Sequence, residues 1–244
     1  MTGTQHDDGP EQTKVFRTYF DLDPHHGATL GLLTDAHAGH RLTMSAFAYQ
    51  LEQNPFYTGY RATGQHPDHR MSFNILWGSS VGKVRHTPQG PVAAPVRVII
   101  DSDIEPRFDH QQAAYWQDAI LGTPSVRTVE LAADEGSEIT YQIVVSPRSN
   151  HRVDGYRRTR VATTEPEVQE WWSNKATASG LALIGTPVID KAGVTSSTQR
   201  ENLTIRHVRI TGKATVTDAG KYAKAVHRGI GAGKAYGCGM LLTR

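Results

Sequence analysis

"HVRITGKATVTDAGKYAKAVHRGIGAGKAYGCGMLLT", residues 207–243, compresses strand, helix, glycine run and strand into one stretch. Its first part alternates apolar and polar residues, the period of a half-buried strand, so strands are expected over "LTIRHVRI" and "KATVT". Asp218 then stands where a helix N-cap belongs, and Tyr222, Val226 and Ile230 recur along one helical face. Gly229 ends that helix, Gly231, Gly233, Gly237 and Gly239 follow, and "GMLLT" reads as a closing strand. The glycines invite a nucleotide reading, and spacing rejects both common forms. A P-loop would need glycine at Arg228 and a hydroxyl at Ala235; a dinucleotide fingerprint would need glycine at Lys234 or Tyr236.

Upstream, "TEPEVQEWWSNKATASG" carries a capping box in Thr164 and Glu167, a proline in its first turn, Val168 and Trp172 four apart, and Gly180 as a stop. Strands at "VRTVEL" and "ITYQIVV" precede it, with a short strand near Val161. The first half follows the same plan. "VFRTYFDL" sets Phe16, Phe20 and Leu22 on one face, and a loop follows around Pro24 and Gly27. Next comes a helix that Thr34 or Asp35 caps and Asn54-Pro55 ends, with His37 and His40 in its first turns. "MSFNIL" and "VRVIID" are strands, and Asp109 caps a short helix through Trp116 and Ile120. After Gly122-Thr-Pro124 the pattern restarts. The order predicts an α+β fold of two tandem ferredoxin-like (RRM-like) units with antiparallel sheets. The expected divisions are a disordered lead-in at 1–13, a first unit at 14–122 and a second at 123–244.

The 244 residues, 38% hydrophobic and 20% charged, suit one or two globular domains. With no long apolar run and no basic-then-apolar leader at Met1, the expectation is a cytoplasmic protein with no membrane partner. Lone Cys238 reads as a small residue in a tight turn. A net charge of +2 is mild, but its distribution is uneven. "SPRSNHRVDGYRRTRV" holds Arg148, His151, Arg152, Arg157, Arg158 and Arg160 against a single Asp154, and the chain end adds Lys213, Lys221, Lys224, His227, Arg228 and Lys234. An anion would be held there, although a charge run is more commonly a solvated loop.

The 207–243 stretch resembles the C-terminal signature of the CRISPR-associated CasE family, in which an Asp-capped helix leads into "GIG-x-x-K-x-x-G-x-GLL". "VVSPRSNHRVDGYRRTRV" resembles that family's strand end and basic hairpin, with Ser146 in place of Asn. "VRVIIDSDIEP" resembles its mid-chain strand, and "TDAHAGHRLTMSAF" its histidine-bearing helix. The resemblance implies an endoribonuclease of the RAMP superfamily. Such a protein would bind the CRISPR repeat stem-loop, cut precursor RNA at the 3′ base of the stem without metal or cofactor, and stay with the product among the type I-E Cascade subunits. A non-catalytic RNA-binding subunit of the same complex is the alternative.

That chemistry attacks phosphorus with a 2′-hydroxyl and leaves a 2′,3′-cyclic phosphate, so it asks for a base, an acid and cations. His40 matches the family's catalytic histidine, as acid or base. Relatives commonly carry Tyr where this chain has His37, one turn earlier on the same face. Ser45 stands where some have Lys, leaving Arg41 and Lys234 as candidate cations. Arg148, Arg152, Arg157, Arg158 and Arg160 are the expected RNA-binding arginines, joined by Gly231, Gly233 and Lys234 of the loop. A metal reading lacks a third ligand placed by spacing, and His66-x-x-His69 shows that H-x-x-H alone is weak evidence. Trp172 reads as core with Val168, and both Trp171 and Trp172 stay outside the expected site.

Overall fold

The structure, a computed structural model, describes residues 14–47, 70, 73–109, 114–153, 156–190, 193–197 and 203–244. The expected lead-in, the Asn54-Pro55 helix end and the His66 and His69 loop lie outside them. In chain order the first elements are β1 (Lys14–Leu22), α1 (Gly27–Thr34), α2 (Ala36–Ser45), β2 (Leu76–Val81), β3 (Arg85–Thr87), β4 (Gly90–Val92) and β5 (Val96–Ser102). Then come α3 (Ala114–Gln117), β6 (Ile120–Glu130), β7 (Glu138–Val145), β8 (Arg148–Val153), β9 (Tyr156–Val161), α4 (Glu165–Ala178) and β10 (Leu181–Ile189). The chain closes with β11 (Gly193–Ser196), β12 (Thr204–Val216), α5 (Ala219–Arg228), a 3-10 turn (Lys234–Tyr236) and β13 (Leu241–Thr243).

Two antiparallel sheets repeat one topology. The first runs β2-β5-β1-β6 and the second β10-β12-β7-β13, with β11 added along β12. Setting the hairpins aside, each is second-third-first-fourth in its own βαββαβ order, which makes the chain two consecutive ferredoxin-like units. Each unit has its own core. Phe20, Leu22, Leu42, Phe47, Ile75, Trp77, Val98 and Ile100 cluster in the first, and Tyr141, Ile143, Trp172, Leu181, Ile210, Tyr222 and Leu241 in the second. A smaller cluster of Ala36, Ile205 and Cys238, with Val144, Leu203 and Tyr236 packed on it, joins the units.

Several local expectations hold. Asp218 accepts from the Lys221 N–H at 2.9 Å, Gly229 ends α5 at φ 70°, and fully buried Trp172 donates to the Tyr141 hydroxyl at 2.9 Å. Others are corrected. The strand read at 126–131 as the opening of the second unit is part of β6 and pairs with β1, from Lys14 opposite Glu130 to Leu22 opposite Ile120. It closes the first sheet, so the restart expected after Pro124 falls inside a strand. Residues 27–34, read as loop, form α1, because the His26 ring accepts from the Ala28 N–H and caps a helix there. Of "MSFNIL", Phe73, Asn74 and Ile75 precede the strand and β2 begins only at Leu76; Asn74 turns left-handed at φ 45° and bonds Asp103 instead. "LTIRHVRI" and "KATVT" are one strand running through Gly212, and β10 was not foreseen because Gly185 and Pro187 interrupt its alternation. Pro187 is tolerated there because β10 lies at the sheet edge, where a register shift occurs between Ile184 and Val188.

Candidate nucleic-acid interface and active site

Residue Asp35 ends α1 and starts α2. Its carboxylate accepts from the His37 N–H at 2.8 Å, satisfying one of the orphan donors of the new helix. One turn apart on α2, the half-buried rings of His37 and His40 lie with centroids 5.8 Å apart. Nδ1 of His37 is buried with no hydrogen-bond partner among the described residues. Arg41 follows on the exposed side of the helix. Ser45 donates to the Leu42 carbonyl at 2.7 Å and is occupied within its own helix.

Trp77 brings the second unit to this helix. A Cβ added at Gly39 would strike its indole and one at Gly237 would crowd it at 3.1 Å, so the ring fills the space between α2 and the glycine-rich loop. Its Nε1 donates to the Ala235 carbonyl at 3.0 Å, which fixes the 3-10 turn against β2. The turn carries Tyr236 to within 6.4 Å of His40, centroid to centroid. His40 therefore has His37 from its own helix and a phenol from the other unit as ring neighbours.

The glycine loop closes mostly on protein. Ile230 N–H donates to Gly239 O at 2.8 Å, Gly239 N–H donates to Val144 O at 2.6 Å, and Ala232 bridges to Ser146. At Gly231, φ is 83° and a Cβ would meet the Trp171 ring at 3.2 Å. Left-handed backbone and a neighbouring indole together account for glycine at this position. At Gly233 the nearest atoms are those of Cys238 and Ser146. Lys234 Nζ donates to the Arg228 carbonyl at 2.7 Å. Burial holds Lys234 below the usual lysine range, and the positive charges of Arg70, Arg228 and Lys175 lower it further.

The basic segment is a two-stranded hairpin, β8 on β9, with Arg152 opposite Arg157 and His151 opposite Arg158; those four side chains lie outside the described residues. The arginines at its base serve the chain itself. Arg148 Nη2 donates to the Thr204 carbonyl at 2.8 Å, and Trp171 Nε1 donates to the Arg148 carbonyl at 3.1 Å. Arg160 is ion-paired with Glu167, which also accepts from the Thr163 and Thr164 N–H groups at 2.9 and 3.1 Å. Those backbone bonds, then Arg160, hold the Glu167 carboxyl down at about 2. The arginine expected to face RNA at 160 thus has an acidic partner at the start of α4.

The structure therefore brings His37, His40 and the loop with Lys234 together, and leaves the hairpin attached through Trp171. Sequence reasoning missed Trp77 and Tyr236, which no local pattern ties to the histidines. Lys175 lies four residues after Trp171 on α4, its Nζ 6.0 Å from the indole centroid. Among the described residues, no three His, Cys, Asp or Glu side chains gather as a metal site would require, and no helix is long and apolar enough to cross a membrane.

The sequence model of the CRISPR associated protein family matches residues 15–244. No curated protein matches the chain by sequence. Among solved structures, Thermus thermophilus Cse3 bound to an RNA representing a pre-cleavage complex is 18% identical with a TM-score of 0.71, the match covering 96% of this chain and 100% of that one. The CRISPR endoribonuclease Cse3 bound to a 19-nucleotide RNA is 18% identical at 0.66, covering 94% and 99%. Cas6e from Escherichia coli K-12 is 18% identical at 0.55, covering 94% and 98%. At these identities the likeness is one of fold, and it extends over both units.

Proposed function

We propose that this chain, which belongs to the CRISPR associated protein family, is a metal-independent endoribonuclease that binds the stem-loop of a CRISPR repeat and cuts precursor CRISPR RNA at the 3′ base of the stem. It then keeps the mature RNA as a subunit of Cascade. One observation carries the reading: two histidines of the first unit, 5.8 Å apart, lie against the glycine-rich loop of the second, which carries Tyr236 and Lys234. The RNA-bound Cse3 structures of the same fold support RNA as the substrate class.

In the proposed reaction a base takes the proton of the 2′-hydroxyl, O2′ attacks the adjacent phosphorus, and the P–O5′ bond breaks as an acid protonates O5′. The products are a 2′,3′-cyclic phosphate and a 5′-hydroxyl. His40 takes one proton transfer and His37 the other, since imidazole serves either role near neutral pH. Charge on the non-bridging oxygens is met by Lys234, whose ammonium is partly withdrawn from water, and by Arg41 at the helix surface. The hairpin carrying Arg152, Arg157 and Arg158 grips phosphates of the stem, because the A-form major groove is too narrow for side chains to read along its length.

The test incubates the protein with repeat RNA in EDTA. Cleavage by the wild type, loss of cleavage but not of binding in His40→Ala, and an intact, bound 2′-deoxy substrate are expected. Dependence on added divalent metal, or full activity of His40→Ala, overturns the mechanism. Binding without any cleavage by the wild type would leave a non-catalytic RNA-binding subunit.

A further inference from the structure

We infer that Tyr236 is a positioning residue for His40: its ring, carried across from the second unit, holds the imidazole on α2 in the orientation that proton transfer needs. The inference rests on His40 taking part in cleavage and adds the group that aims it. The two rings lie 6.4 Å apart between centroids and are tilted by 56°. Aromatic pairs favour inclined, edge-to-face arrangements at about 4.5–7 Å, and this pair falls inside that range.

Both partners are placed by their local structure. Side chains of an α-helix lean back over the residue four positions earlier, which for His40 is Ala36. Tyr236 packs on the buried cluster that contains Ala36, so it covers the ground over which the imidazole leans. The turn that carries the phenol is tied down along its length. Tyr236 N–H donates to the Gly233 carbonyl at 2.8 Å, the Ala235 carbonyl accepts from Trp77 at 3.0 Å, and Gly233 and Gly237 flank the turn in left-handed conformation at φ 81° and 77°. A ring on so fixed a turn has little freedom to withdraw. On a helix, χ1 of a long side chain keeps two staggered wells, since the third clashes with the preceding turn. A ring standing over Ala36 restricts that remaining choice for His40. The contact is made by the ring and not by the hydroxyl, so phenylalanine keeps the effect and an aliphatic side chain loses it.

The experiment compares Tyr236→Leu and Tyr236→Phe with the wild type in three readouts: single-turnover cleavage of repeat RNA, binding of the 2′-deoxy substrate, and the imidazole C–H resonances of His40, assigned through His40→Gln. Tyr236→Leu is expected to slow cleavage by about two- to tenfold, the worth of one aromatic pair, with affinity unchanged, and to shift the His40 resonances as the ring current of tyrosine is lost. Tyr236→Phe is expected to restore both. Melting curves verify that each variant is folded. If Tyr236→Leu melts early, Tyr236→Met, whose flexible chain refills the gap, takes its place. A cleavage rate unaltered by loss of the ring refutes the inference, as does a rate loss matched by lost affinity, or a Tyr236→Phe protein as slow as Tyr236→Leu. If the wild type cuts no repeat RNA, the nuclease reading fails, and the His40 resonances alone then decide whether Tyr236 holds that ring.

Discussion

Gly39 is the position where a single methyl group tests how the site is assembled. It lies inside α2, one residue before His40, and an added Cβ would fall 2.5 Å from Cζ2 of Trp77 and closer still to Cη2. Carbon atoms rest at about 3.5–4.0 Å, so the indole has to retreat by at least about 1 Å. Trp77 is 5% exposed and has little space to retreat into. Overpacking of this kind costs about 1–3 kcal/mol. Losing the bond from Trp77 Nε1 to the Ala235 carbonyl adds about 0.5–1.5 kcal/mol. Against this, alanine is the better helix former by up to about 1 kcal/mol. Gly39→Ala should therefore lower stability by about 2 kcal/mol in urea unfolding followed by tryptophan fluorescence, and slow cleavage while RNA binding persists. Gly220→Ala in α5 is the matched control, because its Cβ would meet nothing closer than Asp218 Oδ1 at 3.6 Å; it should be neutral or stabilising. A Gly39→Ala protein as stable and as fast as wild type would refute the wedge role of Trp77.

Three further outcomes are expected. Asp101→Asn should cost about 3–5 kcal/mol by denaturant unfolding, because it strands Arg17, whose buried guanidinium makes two 2.7 Å bonds to that carboxylate. Cys238, 1% exposed and with its thiol pushed up to about 12 by burial, should react with a thiol reagent only as fast as the protein unfolds; rapid labelling of the native chain would show the inter-unit cluster to be open. Glu167 has a folded pKa of about 2 against an ordinary 4.5, so it stabilises fully above about 4.5 and its contribution disappears as pH falls from there toward 2. Glu167→Gln should lower the melting temperature at pH 7 and flatten its acid dependence over that window, and an unchanged acid profile would rule out the cap.

What the sequence made legible follows the range of the interaction involved. Asp35, Thr164 with Glu167, and Asp218 cap helices through bonds spanning two to four residues, and all three were readable. The pairing of β6 with β1 was not, because Lys14 meets Glu130 across more than a hundred intervening residues and alternation alone names no partner. The site divides in the same way. His40 was singled out by a family pattern and His37 as a departure from it, both on one helix. Trp77 and Ala235, 158 residues apart in sequence, meet only because one unit packs on the other. Charge counting was misleading in a specific way, since it treated all the hairpin arginines alike, whereas Arg148 is tied to Thr204 and Arg160 to Glu167.

The same long-range contacts explain why a nuclease of this kind would be built from two units. His37 and His40 belong to the first, while the loop with Lys234 and Tyr236 belongs to the second, so under the proposed mechanism the catalytic geometry would depend on the angle between them. Two separate ties hold that angle. Trp77 joins β2 to the 3-10 turn, and His227 on α5 bonds Asp103 at 2.6 Å, with Asn74 on the other oxygen of the same carboxylate at 2.8 Å. His227 immediately precedes Arg228, whose carbonyl receives Lys234, so the Asp103 tie also positions the ammonium. In the proposed mechanism a loop held at both ends in this way would present its donors before RNA arrives, and preorganised donors incur little reorganisation cost in the transition state. Five glycines at φ between 70° and 87° provide the backbone conformations that fold this loop tightly between its two ties.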